Sequence, residues 1–201
     1  MTMLRNTKLL KVKGDWIDVL NDCRTTVRKD MKVEEPSIEF KRRILISEHS
    51  PIRSISIRWY WKGIKSWIAT HWSRHKWECF ITTQRTDRTG LDRDKLPQDT
   101  EVNFTGDANL QQLIDTMRKR LCYGNVAPET RAYAEDLKRE IHTVDPIISQ
   151  VLVPNCVYRC GCPEMQSCIF FADFKKEAEK LHVDVTSIQD RYNLYNQIFW
   201  R

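Results

Sequence analysis

Ile55-Ser56-Ile57-Arg58-Trp59-Tyr60-Trp61-Lys62-Gly63, running on into Ile64-Lys65-Ser66-Trp67-Ile68-Ala69-Thr70-His71-Trp72-Ser73-Arg74-His75-Lys76, holds the change of period that decides the fold. In its first half Ile55, Ile57, Trp59 and Trp61 alternate with Ser56, Arg58 and Tyr60, the period-two signature of a half-buried strand, here ending at Lys62-Gly63. From Ile64 onward Ile64, Trp67, Ile68, Trp72 and His75 recur at helical spacing, so a helix runs from Ser66 into the Arg74 region. The aromatic face of the strand is expected to pack on helices.

Upstream, Lys8 to Val12 reads as a first strand, and Asp15 caps a helix whose buried face carries Trp16, Leu20, Cys23 and Val27. A polar loop, Asp30 to Pro36, precedes a helix from Ser37 to about Ser47, which His49-Ser50-Pro51 breaks. Downstream, Thr82 to Thr105 is polar, contains Gly90 and Pro97, and reads as an irregular connection. Asn109 caps a helix with an apolar stripe of Leu110, Leu113, Ile114, Met117 and Leu121, and Arg118 and Arg120 flank the stripe so that both heads reach a pocket edge. Pro128 opens another helix with Tyr133, Leu137 and Ile141 at four-residue spacing, stopped by Asp145-Pro146. A cysteine-rich loop and two short helices follow. The fold class expected is α+β, with helices packed on an antiparallel sheet.

The 201 residues are read as one domain, 1–201, including the cysteine-rich loop 154–168 and the helical tail 169–201. With 41% hydrophobic and 30% charged residues and no apolar run of membrane-spanning length, a membrane protein is not expected. The stretch Met1 to Lys13 lacks the apolar segment of a secretory signal, so the expected place is the cytoplasm. Seven cysteines, an odd number of which only four cluster, argue for thiols or a metal site over a disulfide framework. Lysines and arginines number 33 against 27 acids, a net charge of +6 that suits an anionic ligand and leaves nucleic acid open.

Arg74-His75-Lys76 is the first chemical constellation, preceded by His71 and Trp72 and followed by Gln84 and Arg85. Clustered cations at a helix end hold a phosphate or an electron-rich ring. They also simply favour the helix macrodipole on a solvated face. Cys156, Cys160, Cys162 and Cys168 place four soft ligands within thirteen positions, enough for a tetrahedral zinc, although buried cysteines need no metal. His71 and His75 are four apart, a spacing that also suits a metal on one helix face. The tryptophans fit buried periodicities and read as core.

The order His49-Ser50-Pro51, aromatic strand, Gly63, then a helix ending in Arg74-His75-Lys76, resembles the approach to the signature of the flavin-dependent thymidylate synthases, the ThyX family: Arg-His-Arg, seven residues, then serine. Lys76 replaces the second arginine, Gln84 stands at the serine, and the segment between Gln84 and Arg93 is shorter than usual. Arg93, Leu96-Pro97, Asn109, Arg120, Thr130-Arg131-Ala132 with Glu135, and Pro154-Asn155-Cys156 recur in the family's order.

The resemblance implies reductive methylation of dUMP to dTMP, with reduced FAD as cofactor and methylenetetrahydrofolate and NADPH as co-substrates. A homotetramer with shared sites, in a bacterial or phage-infected cell, goes with it. It gives Arg120 the catalytic polarisation of the uracil ring. His71, Arg74, Thr82, Thr83, Gln84, Arg85, Arg93 and Arg120 would contact the nucleotide, and Arg74, His75, Lys76, Asn109 and Arg131 the flavin. The three residues of the triplet would serve there as cations stabilising reduced flavin. Two other readings stand beside it: a ThyX-like protein with another pyrimidine nucleotide or no turnover, and a basic nucleic-acid-binding module with a zinc loop.

Overall fold

The computed structural model describes residues 6–200. Four strands, β1 (Asn6–Lys13), β2 (Ser56–Lys65), β3 (Glu78–Ile81) and β4 (Glu101–Asn109), form one antiparallel sheet in the order β1-β2-β4-β3. The helices in chain order are α1 (Trp16–Thr26), α2 (Ile38–Ser47), α3 (Ser66–Ser73), α4 (Thr86–Thr89), α5 (Leu110–Arg120), α6 (Pro128–Val144), α7 (Pro146–Gln150), α8 (Asn155–Arg159), α9 (Phe170–Lys180) and α10 (Ile188–Leu194). A π turn, Tyr195–Phe199, continues α10. The expected α+β class is therefore what the chain adopts.

The sheet hides one face because β2 alternates strictly as far as Trp61: Ile57, Trp59 and Trp61 are buried, while Arg58, Tyr60 and Lys62 are not, and Ile64 rejoins the buried face beyond a register shift. Trp59 pairs with Gly106 and Trp61 with Phe104 across β2 and β4. Gly106 is required by this packing, since a Cβ there would lie 2.2 Å from the Trp59 ring. Trp61 also meets Trp72 of α3 with centroids 4.8 Å apart. Trp59, Trp61 and Trp72 leave their indole N–H groups buried without a hydrogen-bond partner. Each such orphan costs about 1–3 kcal/mol. Burying a ring of roughly 150–250 Å2 at about 25 cal/mol per Å2 contributes about 4–6 kcal/mol, so packing wins.

Several boundaries differ from the expectation. β2 continues through Gly63 to Lys65, because a register shift between Trp61 and Ile64 lets the chain stay paired, with Gly63 at φ 66°. Ile64 thus belongs to the strand. In α1 the buried positions are Trp16 and Val19, and Val27 is the exposed C-cap, so the face is turned by one position. The stretch read as irregular holds α4 and the first half of β4, and β3 precedes it; polar Asn103 and Thr105 hid a strand with Val102, Phe104 and Gly106 on its buried face. Of the N-terminal stretch Met1 to Lys13, residues 1–5 lie outside those described. No helix among the described residues is long and apolar enough to cross a membrane.

At the far end of β4, Asn109 caps α5 through a reciprocal capping box with Gln112. The stripe of Leu110, Leu113, Ile114, Met117 and Leu121 is fully buried. This fixes the rotation of α5 and so the direction in which its polar side chains leave.

Candidate functional site

Arg74-His75-Lys76 forms the tight turn between α3 and β3. Trp77 holds it closed: its backbone N–H donates to the His75 carbonyl at 2.9 Å and its indole N–H to the Trp72 carbonyl at 3.0 Å. The Trp72 and Trp77 rings stack 5.8 Å apart. Arg74 and Lys76 are exposed as a result, and His75 between them turns inward.

Arg120, at the last turn of α5, meets His75 from behind. Its Nε donates to His75 Nε2 at 2.9 Å, and its Nη2 donates to the His71 carbonyl. A guanidinium nitrogen only donates, so His75 Nε2 must carry a lone pair and the ring proton sits on Nδ1. Burial, with Arg120 and Lys119 nearby, lowers the His75 pKa to about 4. The triplet therefore presents two cations and one neutral N–H donor, and the expectation of a third cation is corrected. The physical reason is that a ring already touching a guanidinium cannot readily accept a second positive charge. His71 is lowered in the same way, by burial, Arg120 and Arg74, with Nδ1 3.4 Å from Thr130 Oγ1. Burial and Arg74 also lower the Arg120 pKa.

A cavity of about 450 Å3 opens between this turn, α5 and α8. Arg74, His75 and Lys76 line one side, Gln112, Thr116, Arg118 and Lys119 the α5 side, and Tyr158 and Arg159 the α8 side. Arg118 does not reach the edge as a free charge. It is 6% exposed, its two terminal nitrogens bond Glu48, and its guanidinium lies 3.4 Å over the Tyr158 ring. Arg74, Lys76, Lys119 and Arg159 make no ion pair among the described residues. A second cavity, about 550 Å3, adjoins the first through Lys76 and Gln112 and contains Asn109, Asp107 and Trp77.

The structure thus brings together Arg74, His75, Lys76, His71 and Arg120, with Asn109 next door. His71 and Arg120 stand behind His75 and line neither cavity, and the structure does not bring Thr82, Thr83, Gln84, Arg85 or Arg93 to either one. All five are exposed; Arg85 pairs with Asp87 at 2.7 Å and Arg93 with Asp94 at 3.8 Å. Arg131 lies 3.2 Å from Glu135 and 4.3 Å from the Tyr123 ring, also outside both cavities.

The expected zinc finds no support among the described residues. All seven cysteines are free thiols, and among the described residues no three His, Cys, Asp or Glu side chains are placed to hold a metal ion, the His71/His75 pair included. Cys160 turns out to the Val185 carbonyl at 3.2 Å, whereas Cys156 is buried and pushed up to about 12 chiefly by that burial. The spacing within the loop is right, but α8 sends the two thiols in different directions.

Lys119, Tyr158 and Arg159 were missed in the sequence. Gln112, Thr116 and Lys119 recur at helical spacing beside the apolar stripe of α5, a signal that was available. Nothing in the sequence signals that α8 lies across from it.

No family model matches the sequence, and no curated protein matches it. Solved structures do. A UMP/dUMP methylase, PolB, from Streptomyces cacaoi, bound with 5-Br dUMP, is 12% identical with a TM-score of 0.58, covering 73% of this chain and 94% of that one. Thymidylate synthase X from Helicobacter pylori, with FAD and dUMP, is 10% identical with a TM-score of 0.59, covering 72% of this chain and 99% of that one. The chain has a ThyX-like fold.

Proposed function

We propose that this protein is a flavin-dependent enzyme that methylates a pyrimidine nucleotide, with dUMP converted to dTMP as the leading case. One observation carries the reading: within a ThyX-like fold, a neutral His75 bonded to Arg120 stands beside a cavity lined by Arg74, Lys76, Lys119 and Arg159, none of which makes an ion pair among the described residues. A reduced flavin is readily anionic, and the residues present fit it. Arg74 and Lys76 are cations at the cavity that make no ion pair among the described residues, and His75 can donate Nδ1–H to a ring carbonyl or nitrogen.

Bound reduced FAD would supply the hydride, with methylenetetrahydrofolate as carbon donor and NADPH as reductant. Arg120 would bear on the uracil carbonyl, drawing charge onto oxygen and raising electron density at carbon five. His75 and the His71 carbonyl hold the guanidinium in place for that task. The exposed Thr82, Thr83, Gln84, Arg85 and Arg93 suit a homotetramer in which this loop grips the nucleotide phosphate of a neighbouring copy. The same exposure, with Lys76 and Gln84 in place of the family's residues, favours a second reading: another pyrimidine nucleotide, or binding without turnover.

The test is the absorbance spectrum of the purified protein, titration with FAD, then anaerobic turnover with dUMP, dCMP or UMP in the presence of methylenetetrahydrofolate and NADPH. Bound flavin and a methylated nucleotide are expected. Flavin without product from any of the three selects the second reading, and no spectral change on adding FAD overturns both.

A further inference from the structure

Arg159 and Tyr158 reach the cavity from a helix of only five residues, and that helix is held with unusual firmness for its length. Arg191 of α10, 5% exposed, donates Nε to the Val157 carbonyl at 2.6 Å and Nη2 to the Tyr158 carbonyl at 2.8 Å. Its Nη1 takes the carbonyls of Val185 and Thr186 at 2.6 and 3.1 Å. One buried guanidinium thus fastens α8 to the strand of chain before α10, so that the backbone under Tyr158 and Arg159 is set before any ligand arrives. Arg159 is steered further by its Nε, which donates to Asn155 Oδ1 at 3.0 Å, and Tyr158 lies flat on Arg118.

Across the cavity from α8 stands Lys119, exposed on α5. Lys119 and Arg159, with Arg74 and Lys76, make four cations around about 450 Å3. The acid in the lining, Asp115, lies 3.5 Å from Arg118. Four like charges around one cavity repel one another, and an anion placed among them relieves that repulsion. The diphosphate of a dinucleotide carries about the same charge as a monophosphate, roughly −2, but divides it between two phosphorus centres, so it can meet cations on two elements at once.

We propose that Lys119 and Arg159 form a diphosphate subsite between α5 and α8, which takes the diphosphate of a dinucleotide cofactor while Arg74, His75 and Lys76 face its ring. That the dinucleotide is FAD rests on the function proposed above; the diphosphate grip rests on the cavity alone. Arg191 is a positioning residue in this scheme, acting through the α8 backbone.

Lys119→Gln and Arg159→Gln remove charge from exposed positions, so both variants are expected to fold, and their melting temperatures check it. Inorganic pyrophosphate, FAD and riboflavin are titrated against each. The expected result is pyrophosphate and FAD binding weakened by about tenfold or more in each variant, with riboflavin unchanged. Wild-type affinities for pyrophosphate and FAD in both variants would overturn the subsite, as would a wild-type protein that binds pyrophosphate no better than phosphate. Pyrophosphate binding that depends on Arg159, in a protein that takes up no flavin, would keep the subsite and remove the flavin reading.

Discussion

Replacing Arg120 with methionine separates its two roles, holding His75 neutral and offering a charge to a ligand. In the wild type the His75 pKa falls from 6.5 to about 4, first through burial and then through Arg120 and Lys119. A drop of that size corresponds to roughly 3.4 kcal/mol at about 1.36 kcal/mol per unit, and because the ring is only half-buried, solvent screening reduces it to about 1–2 kcal/mol. The sign follows from linkage: the folded pKa is depressed, so the unfolded chain binds the proton first, and stability is lost as pH falls from 6.5 towards 4. Above that window the ring is neutral in both states, and Arg120→Met costs only its charge-assisted bonds to His75 and the His71 carbonyl, about 1.5–3 kcal/mol. Within the window the variant loses less than the wild type, since one of the charges opposing protonation is gone. The pKa of His75 in the variant rises but stays below the ordinary histidine value, because burial remains. Imidazole nitrogen NMR across this range reads both the titration and the tautomer, and urea unfolding above and within the window reads the stability. A wild-type His75 that titrates like a free histidine, or that carries its neutral-state proton on Nε2, would refute the arrangement.

Glu48→Gln leaves Arg118, 6% exposed, without its main carboxylate. Asp115 at 3.5 Å remains, so the loss is expected near the lower end of about 3–5 kcal/mol in denaturant unfolding, and a loss below about 1 kcal/mol would show that the pair is not buried. Gly106→Ala places a methyl 2.2 Å from the Trp59 ring, which Trp61 and Trp77 hold at centroid distances of 5.6 and 4.9 Å. Overpacking of about 1–3 kcal/mol or more should appear as a lowered melting temperature, and an unchanged one would mean that Trp59 does not cover β4.

How much could be read in advance depended on whether a residue acted through its own neighbours in the chain or through distant ones. The alternation of Ile57, Trp59 and Trp61, the cap at Asn109 with the stripe through Leu121, and the proline start of α6 all came true because period and capping are local. The triplet Arg74-His75-Lys76 was legible as a cluster, and so was its place at the end of α3. β4 was not, since its outward residues are polar and its membership in the sheet comes from pairing with β2 and β3.

Sequence alone therefore determined the α+β class, the turn that carries the triplet and the rotation of α5, all of which follow from side-chain periodicity over a few residues. Only the tertiary structure decided the charge state of His75, which depends on Arg120 arriving 45 positions later to donate to its Nε2. It also decided that Arg118 is paired with Glu48 whereas Arg120 donates to His75 and the His71 carbonyl. Cys160 parts company from Cys156 for the same reason: spacing constrains where a ligand set can be, but the three-dimensional path of α8 sets where each side chain points. Charge and coordination depend on distances in space, and between residues far apart in sequence those distances exist only once the chain has folded.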